Sequence, residues 1–427
     1  MALLAQGPHA GAQPPDSFKD EQLPVEELSG RDDAEMRKYT RGQESANTDA
    51  AKKTIDKAVR YFTYSLTRIE VQEGRSSSIG ELFEKALGTS PFSNSVLFPP
   101  LRPAQSDDPE DVARRGRQVE YLSVLAPILT THVEKVLDNR MIIARLNAVR
   151  YLDRLAEHGH DGGADLCVKV INRPIENDAV RYMAMRSLAK IFAKYEPTRQ
   201  DNPVYKGKEG PARFEAATLA ICKWLEDRMA VPAERVSQMD EEEKDGASAV
   251  RRAAIEALGA ARRPLIVDEQ SGAKRRLGPV AELLVRIMEN QNVSPPAAMP
   301  ERVDACLALM RLNPRYSPSY QPDFAAFQVA RFLAQMGAEA ATDTARDQQR
   351  WRHYAIQIKE ALNLVQASAQ GASPAAKYVL KVIAQLGPVL ANLDDASENR
   401  QAPQELNRWL GENQPAAKTV YKPVSSE

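Results

Sequence analysis

Cysteine is scarce in this sequence: three in 427 residues, Cys167, Cys222 and Cys306. So few thiols cannot staple a disulfide scaffold, and none stands at zinc-ligand spacing. Histidine is almost as rare, with five. No apolar run approaches the ~20 residues that span a bilayer, and the mean hydropathy is −0.46. An excess of one charge is missing too, because 57 Lys and Arg face 58 Asp and Glu, for a net charge of −1. That balance argues against a general nucleic-acid binder and against a polybasic membrane-surface protein. There is no G-x-S-x-G elbow, no Gly-rich phosphate loop and no H-E-x-x-H helix.

What the chain does carry is helical periodicity. Residues 1–47 are rich in Pro, Gly, Asp, Glu and Gln, lack an apolar period, and are expected to be disordered. Met1–Ala5 followed by Ala10-Gly11-Ala12 is similar to the tail of a secretory signal peptide. That reading makes the protein exported; a chance Ala-rich terminus leaves it cytoplasmic. Residues 48–109 form an N-terminal helical part. Ile55, Val59, Phe62, Leu66 and Ile69 share one stripe, with Thr48 or Asp49 as cap. A short helix over Ile79–Leu87 takes Ser78 as its cap. Residues 88–109, with five prolines, are a connector.

Amphipathic helices follow from about residue 110. Val119, Leu122, Leu125, Leu129, Val133 and Leu137 give one stripe. Arg-x-x-Ala-x-x-x-Leu then occurs four times: Arg145, Ala148, Leu152; Arg181, Ala184, Leu188; Arg251, Ala254, Leu258; Arg302, Ala305, Leu309. The offsets of 36, 70 and 51 residues fit a helix-pair period of about 35, its double, and a pair stretched by a loop. Ala and Leu one turn apart share a face, where the small Ala admits a neighbouring helix and Leu fills the layer. The Arg precedes them by a turn. It could pair with a carboxylate of the adjacent repeat, as a ladder, or line a groove for acidic ligands.

The copy Asn177-Asp178-Ala179-Val180-Arg181-Tyr182-Met183-Ala184-Met185-Arg186-Ser187-Leu188 resembles the second helix of a HEAT repeat. The resemblance extends over roughly residues 115–313 and implies an all-α fold: an α-solenoid of stacked antiparallel helix pairs, wound right-handed, with a small helical N-terminal segment and disordered termini. The repeats are assigned to 110–313, with loop insertions at 231–246 and 262–277. Helices over 322–337, 348–367 and 374–393 continue or cap the stack across 314–395. A short helix around Gln404–Leu410 and a tail make up 396–427.

Candidate chemistry is thin. His158-Gly159-His160-Asp161 is either a metal-binding turn or an ordinary polar turn, and the ordinary turn is favoured because no second cluster supplies ligands. Gly74-Arg75-Ser76-Ser77-Ser78 before a helix reads as a capped loop rather than an anion site. The cysteines read as small core residues. Arg262, Arg263, Lys274, Arg275 and Arg276 form a basic segment that could contact a partner's phosphate or acidic peptide, opposite the acidic loop Asp240–Glu243. The expected function is a non-catalytic scaffold that binds a protein or peptide along an extended helical surface, with no cofactor, no metal and no nucleic acid. The alternatives are an enzyme of the helical-repeat kind, similar to chromophore lyases or nucleic-acid glycosylases, and an exported structural component of the envelope.

Overall fold

The structure, a computed structural model, describes residues 18–72, 76–88, 95–100, 108–195, 210–268, 275–343, 348–368, 373–394 and 401–422. The fold is all-α. The signal-peptide-like start lies outside the described residues. The chain divides into two compact units, Met1–Ala217 and Thr218–Glu427.

In the first unit the sequence from 18 to 47, expected to be disordered, is built into the fold. Ser29 and Asp32 form a capping box at the start of helix α1 (Gly30–Thr40), and Met36 and Tyr39 are buried. Thr48 caps α2 (Asp49–Tyr64) by accepting the Ala51 N–H. Ile55, Val59, Phe62 and Leu66 are buried as their spacing predicts, but Ile69 is exposed, because the helix tightens into a 3₁₀ turn at Ser65–Thr67. The short α3 (Ile69–Gln72) follows. The next helix, α4 (Ser76–Leu87), starts before Ser78, which therefore lies within the helix.

Asp108 caps α5 (Pro109–Leu137), which continues through Pro127. Val119 is 64% exposed, so the buried stripe begins only at Tyr121 and Leu122. Three helices complete the regular part: α6 (Ile142–Glu157), α7 (Ala164–Asn172) and α8 (Asp178–Ala193). Helix α8 packs on both α6 and α7, and α2 and α6 pack on α5. The described residues of 48–87 are thus integral. Phe83 stacks on Tyr151 at 5.4 Å, and the Tyr151 hydroxyl donates to Phe62 O at 3.3 Å.

Helix α9 (Gly210–Arg228) spans the division between the units. In the second unit the expected loop 231–246 is largely helical. It holds α10 (Ala233–Val236) and the first turn of α11 (Glu241–Ala261), where Asp240 accepts the Glu243 N–H. Carboxylates at a helix start offset the macrodipole there, so the acidic run is a helix beginning rather than a loop. The expected insert 262–277 contains an antiparallel hairpin, β1 (Ile266–Asp268) with β2 (Arg275–Gly278).

The unit continues with α12 (Val280–Met288), α13 (Met299–Arg311), α14 (Pro322–Thr342), α15 (Gln348–Ser368), α16 (Pro374–Asp394) and α17 (Ala402–Glu412). Helix α13 packs on α11 and α12, and α14 on α16 and α17. Phe324 and Phe327 are half-buried, because the buried face of α14 runs through Ala325, Val329, Phe332, Leu333 and Met336. The expected C-terminal tail is also ordered through residue 422. Gln321 N–H donates to Val420 O at 2.8 Å, and Lys422 N–H donates to Ser319 O at 2.8 Å. Tyr421 is buried, its hydroxyl donating to Pro264 O at 2.6 Å and accepting the Ala281 N–H at 3.0 Å.

Candidate functional site

Arg145, Arg181 and Arg302 stand in the first turns of α6, α8 and α13, whereas Arg251, expected at a helix start, lies in the middle of α11, which begins at Glu241. All four are buried: Arg145, Arg181, Arg251 and Arg302 are 2, 4, 1 and 6% exposed. Guanidiniums this enclosed are consumed by contacts within the chain. Arg145 Nε donates to Glu176 Oε1 at 2.8 Å, and its Nη1 donates to Asn139 O and Arg140 O, each at 2.8 Å. Arg251 Nη2 donates to Glu301 Oε2 and Nη1 to Pro295 O, both at 3.0 Å. Arg302 donates to Met288 O and Gln335 Oε1, each at 2.8 Å, and reaches Glu339 at 3.3 Å. Arg181 differs: it pairs with Asp178 on its own helix and donates to Pro174 O.

The alanines and leucines of the pattern, Ala148, Ala184, Ala254 and Ala305 with Leu152, Leu188, Leu258 and Leu309, are fully or nearly fully buried. Gly259 shows why small residues are needed between α11 and α13. A Cβ there would stand 2.9 Å from the Ala308 Cβ and 3.0 Å from its Cα.

Arg145 belongs to the most elaborate polar cluster of the first unit. Arg173 Nη1 donates to Leu137 O at 2.6 Å, its Nη2 donates to Asp138 Oδ1 at 2.8 Å, and it reaches Glu176 Oε2 at 3.4 Å. Over this cluster lies the extended segment 18–23. Phe18 presents its ring to Arg145 at 3.9 Å and to Arg173 at 5.2 Å, a favourable cation–π arrangement. Lys19 N–H donates to Asp138 O at 2.7 Å, and Arg140 N–H donates to Lys19 O at 2.8 Å. Asn139 Nδ2 donates to Glu21 O, and Leu23 N–H to Thr67 Oγ1, each at 2.9 Å. Beside the cluster, Met141, Ile142 and Ile175 remain 38, 39 and 39% exposed.

Histidine chemistry concentrates elsewhere. His132 is buried, and its Nε2–H donates to Asp56 Oδ1 at 2.7 Å, since a carboxylate only accepts. Its Nδ1 accepts the Tyr64 hydroxyl at 2.7 Å. Asp56 faces an open concavity of about 570 Å³, lined also by Glu26, Lys52, Lys53, Lys57, Arg60 and Ile128. Tyr64 is buried behind His132, so the three groups pin α2 to α5 and expose only Asp56.

The His158–Asp161 turn does not converge. His158 stacks on Phe98 at 5.6 Å, while His160 Nδ1 accepts the Gly162 N–H at 3.0 Å. Burial and the nearby Arg154 hold the His158 imidazole down at about 3. His353 is exposed. Burial pushes the Cys167 and Cys306 thiols up to about 12 and Cys222 higher still, so all three are thiols at neutral pH. Among the described residues, no group of three His, Cys, Asp or Glu is placed to hold a metal ion, and no helix is long and apolar enough to cross a membrane.

The described start of the basic segment is tied to the fold. Arg262 closes α11 in the left-handed region, at φ 57°, and Arg263 lies 5.5 Å over the Tyr316 ring. Lys274 and the side chains of Arg275 and Arg276 lie outside the described residues. Residues 18–23 and Tyr421 carry no helical period and no charge run, so the pattern that marks the repeats could not single them out. No family model, curated protein or solved structure matches the chain.

Proposed function

We propose that the protein is a non-catalytic, HEAT-like scaffold that binds a protein partner through the exposed edge of its first unit. The observation that carries this reading is the apolar set Met141, Ile142 and Ile175. Ile142 stands one turn before Arg145, and Ile175 immediately precedes Glu176, the carboxylate that Arg145 holds. One buried ion pair therefore fixes the exposed side chains at the start of α6 and just before α8 relative to each other. Apolar residues held on a rigid edge and bordered by arginines have the composition of a protein interface. The Cys167, Cys222 and Cys306 thiols, whose pKa values burial raises, are by contrast all enclosed in the core.

The test is affinity capture from lysate and envelope fractions of the source organism. Wild type is compared with a variant carrying Met141→Asp, Ile142→Asp and Ile175→Asp. A protein retained stoichiometrically by wild type and lost by a variant of unchanged melting temperature is the expected result. Retention of the same proteins by both sinks the reading.

A further inference from the structure

Both ends of the described chain fold back as extended segments, but they are held differently. The C-terminal one is anchored by the buried Tyr421. The N-terminal one, residues 18–23, lies on the surface: Lys19, Asp20, Glu21 and Gln22 are exposed, and Phe18 and Leu23 are half-buried. What holds it is generic peptide recognition. Two main-chain hydrogen bonds join Lys19 to residues 138 and 140 in a parallel bridge. One side-chain amide reads the Glu21 carbonyl, and one aromatic ring lies on two guanidiniums. The side-chain contacts are the ring and an exposed 3.7 Å ion pair between Asp20 and Arg140, which is worth little, and main-chain pairing accepts any extended sequence.

We propose that residues 138–140 with Arg145 and Arg173 form a peptide-docking groove that the chain's own residues 18–23 fill in cis, and that a partner enters it as an extended segment led by an aromatic ring. This rests on the scaffold reading for the partner, while the groove and its cis occupant are tested apart from it. The tethered segment competes at the high effective concentration of an intramolecular ligand, on the order of millimolar for a short linker. The apparent affinity for an outside peptide is lowered by the fraction of molecules whose groove is open. Releasing the strap therefore strengthens outside binding without altering the groove.

The experiment uses the full chain. A fluorescent peptide of residues 16–28 is titrated by anisotropy into wild type, Phe18→Ala and Lys19→Pro. The first variant removes the ring, and the second removes the Lys19 N–H that donates to Asp138 O. Neither position lies within a helix, so a fold disturbed by one substitution leaves the other to read. Both variants are expected to bind the peptide at least tenfold more tightly than wild type, and a peptide with alanine at position 18 to lose that gain. The Arg140 amide, which donates to Lys19 O, is expected to exchange faster in both variants and to be protected again by the peptide. Peptide binding that is equal in all three proteins, or absent from all three, overturns the proposal. A groove that binds the peptide in a protein that captures no partner leaves the groove standing and sinks the scaffold reading.

Discussion

Arg145 and Glu176 meet through a 2.8 Å hydrogen bond between side chains that are 3% and 0% exposed. The pair joins the start of α6 to the turn before α8. Arg145 is further fixed by two carbonyls, and Glu176 Oε1 also accepts the Asn177 N–H at 3.0 Å. A buried charge that is paired and fully hydrogen-bonded is tolerated, whereas one that loses its partner is not.

Arg145→Met is therefore expected to destabilise the first unit by about 3 kcal/mol, because Glu176 is left buried with only the longer, 3.4 Å contact to Arg173 as its cationic partner. The double variant Arg145→Met with Glu176→Leu is expected to recover a large part of that loss. Urea denaturation, with hydrogen exchange followed in α6 and α8, reads both. A single variant within about 0.5 kcal/mol of wild type would show that the pair does not organise this edge.

Gly259→Ala tests the close approach of α11 and α13. In an open helix the change gains about 1 kcal/mol from propensity. Here the new Cβ meets Ala308 at 2.9 Å, with backbone at 3.0 Å. Overpacking of that kind costs about 1–3 kcal/mol, so a net loss of stability is expected. Adding Ala308→Gly should return part of it. A stabilised single variant would contradict the packing.

The helices were legible because each Arg-x-x-Ala-x-x-x-Leu copy places a small and a large apolar residue on one buried face. Burial of Ala148, Leu152 and their counterparts follows from that spacing. The straps were not legible, because main-chain pairing leaves no mark on side-chain type, and Phe18 is one aromatic in a Pro- and Asp-rich stretch. The acidic run at 240–243 has the composition of a solvated loop, which masks its capping pattern. Asp240 with Glu243 three residues later has the spacing of a helix start.

His158 makes stability depend on pH. Its imidazole ordinarily titrates near 6.5 and is held at about 3 in the folded chain. The unfolded chain therefore binds the extra proton first. The stability contributed by the neutral ring is whole above about pH 6.5 and is lost progressively as pH falls toward 3. Asp32, held at about 2 by Lys57 and Ser29, adds its own loss only below about pH 4. Melting temperatures of wild type and His158→Phe are expected to diverge between pH 7 and 5, with wild type falling faster. Parallel curves would contradict the burial of the ring against Phe98.

Tyr421→Phe removes the hydroxyl that bridges Pro264 O and Ala281 N–H. Those two groups also bond each other at 3.0 Å, so neither is orphaned. The expected cost is about 1 kcal/mol rather than the ~3 kcal/mol of a fully unpaired buried group. Proteolysis should nick the C-terminal segment sooner in the variant. Equal rates would place the anchor of that segment elsewhere.

The most direct test of the scaffold reading is site-specific photo-crosslinking in the source organism, with a benzophenone side chain at position 175 and, as control, at Ile356, an exposed apolar position on α15. The account predicts a discrete crosslinked protein from position 175 that is absent from position 356. No adduct at 175, or the same adducts at both positions, would contradict it.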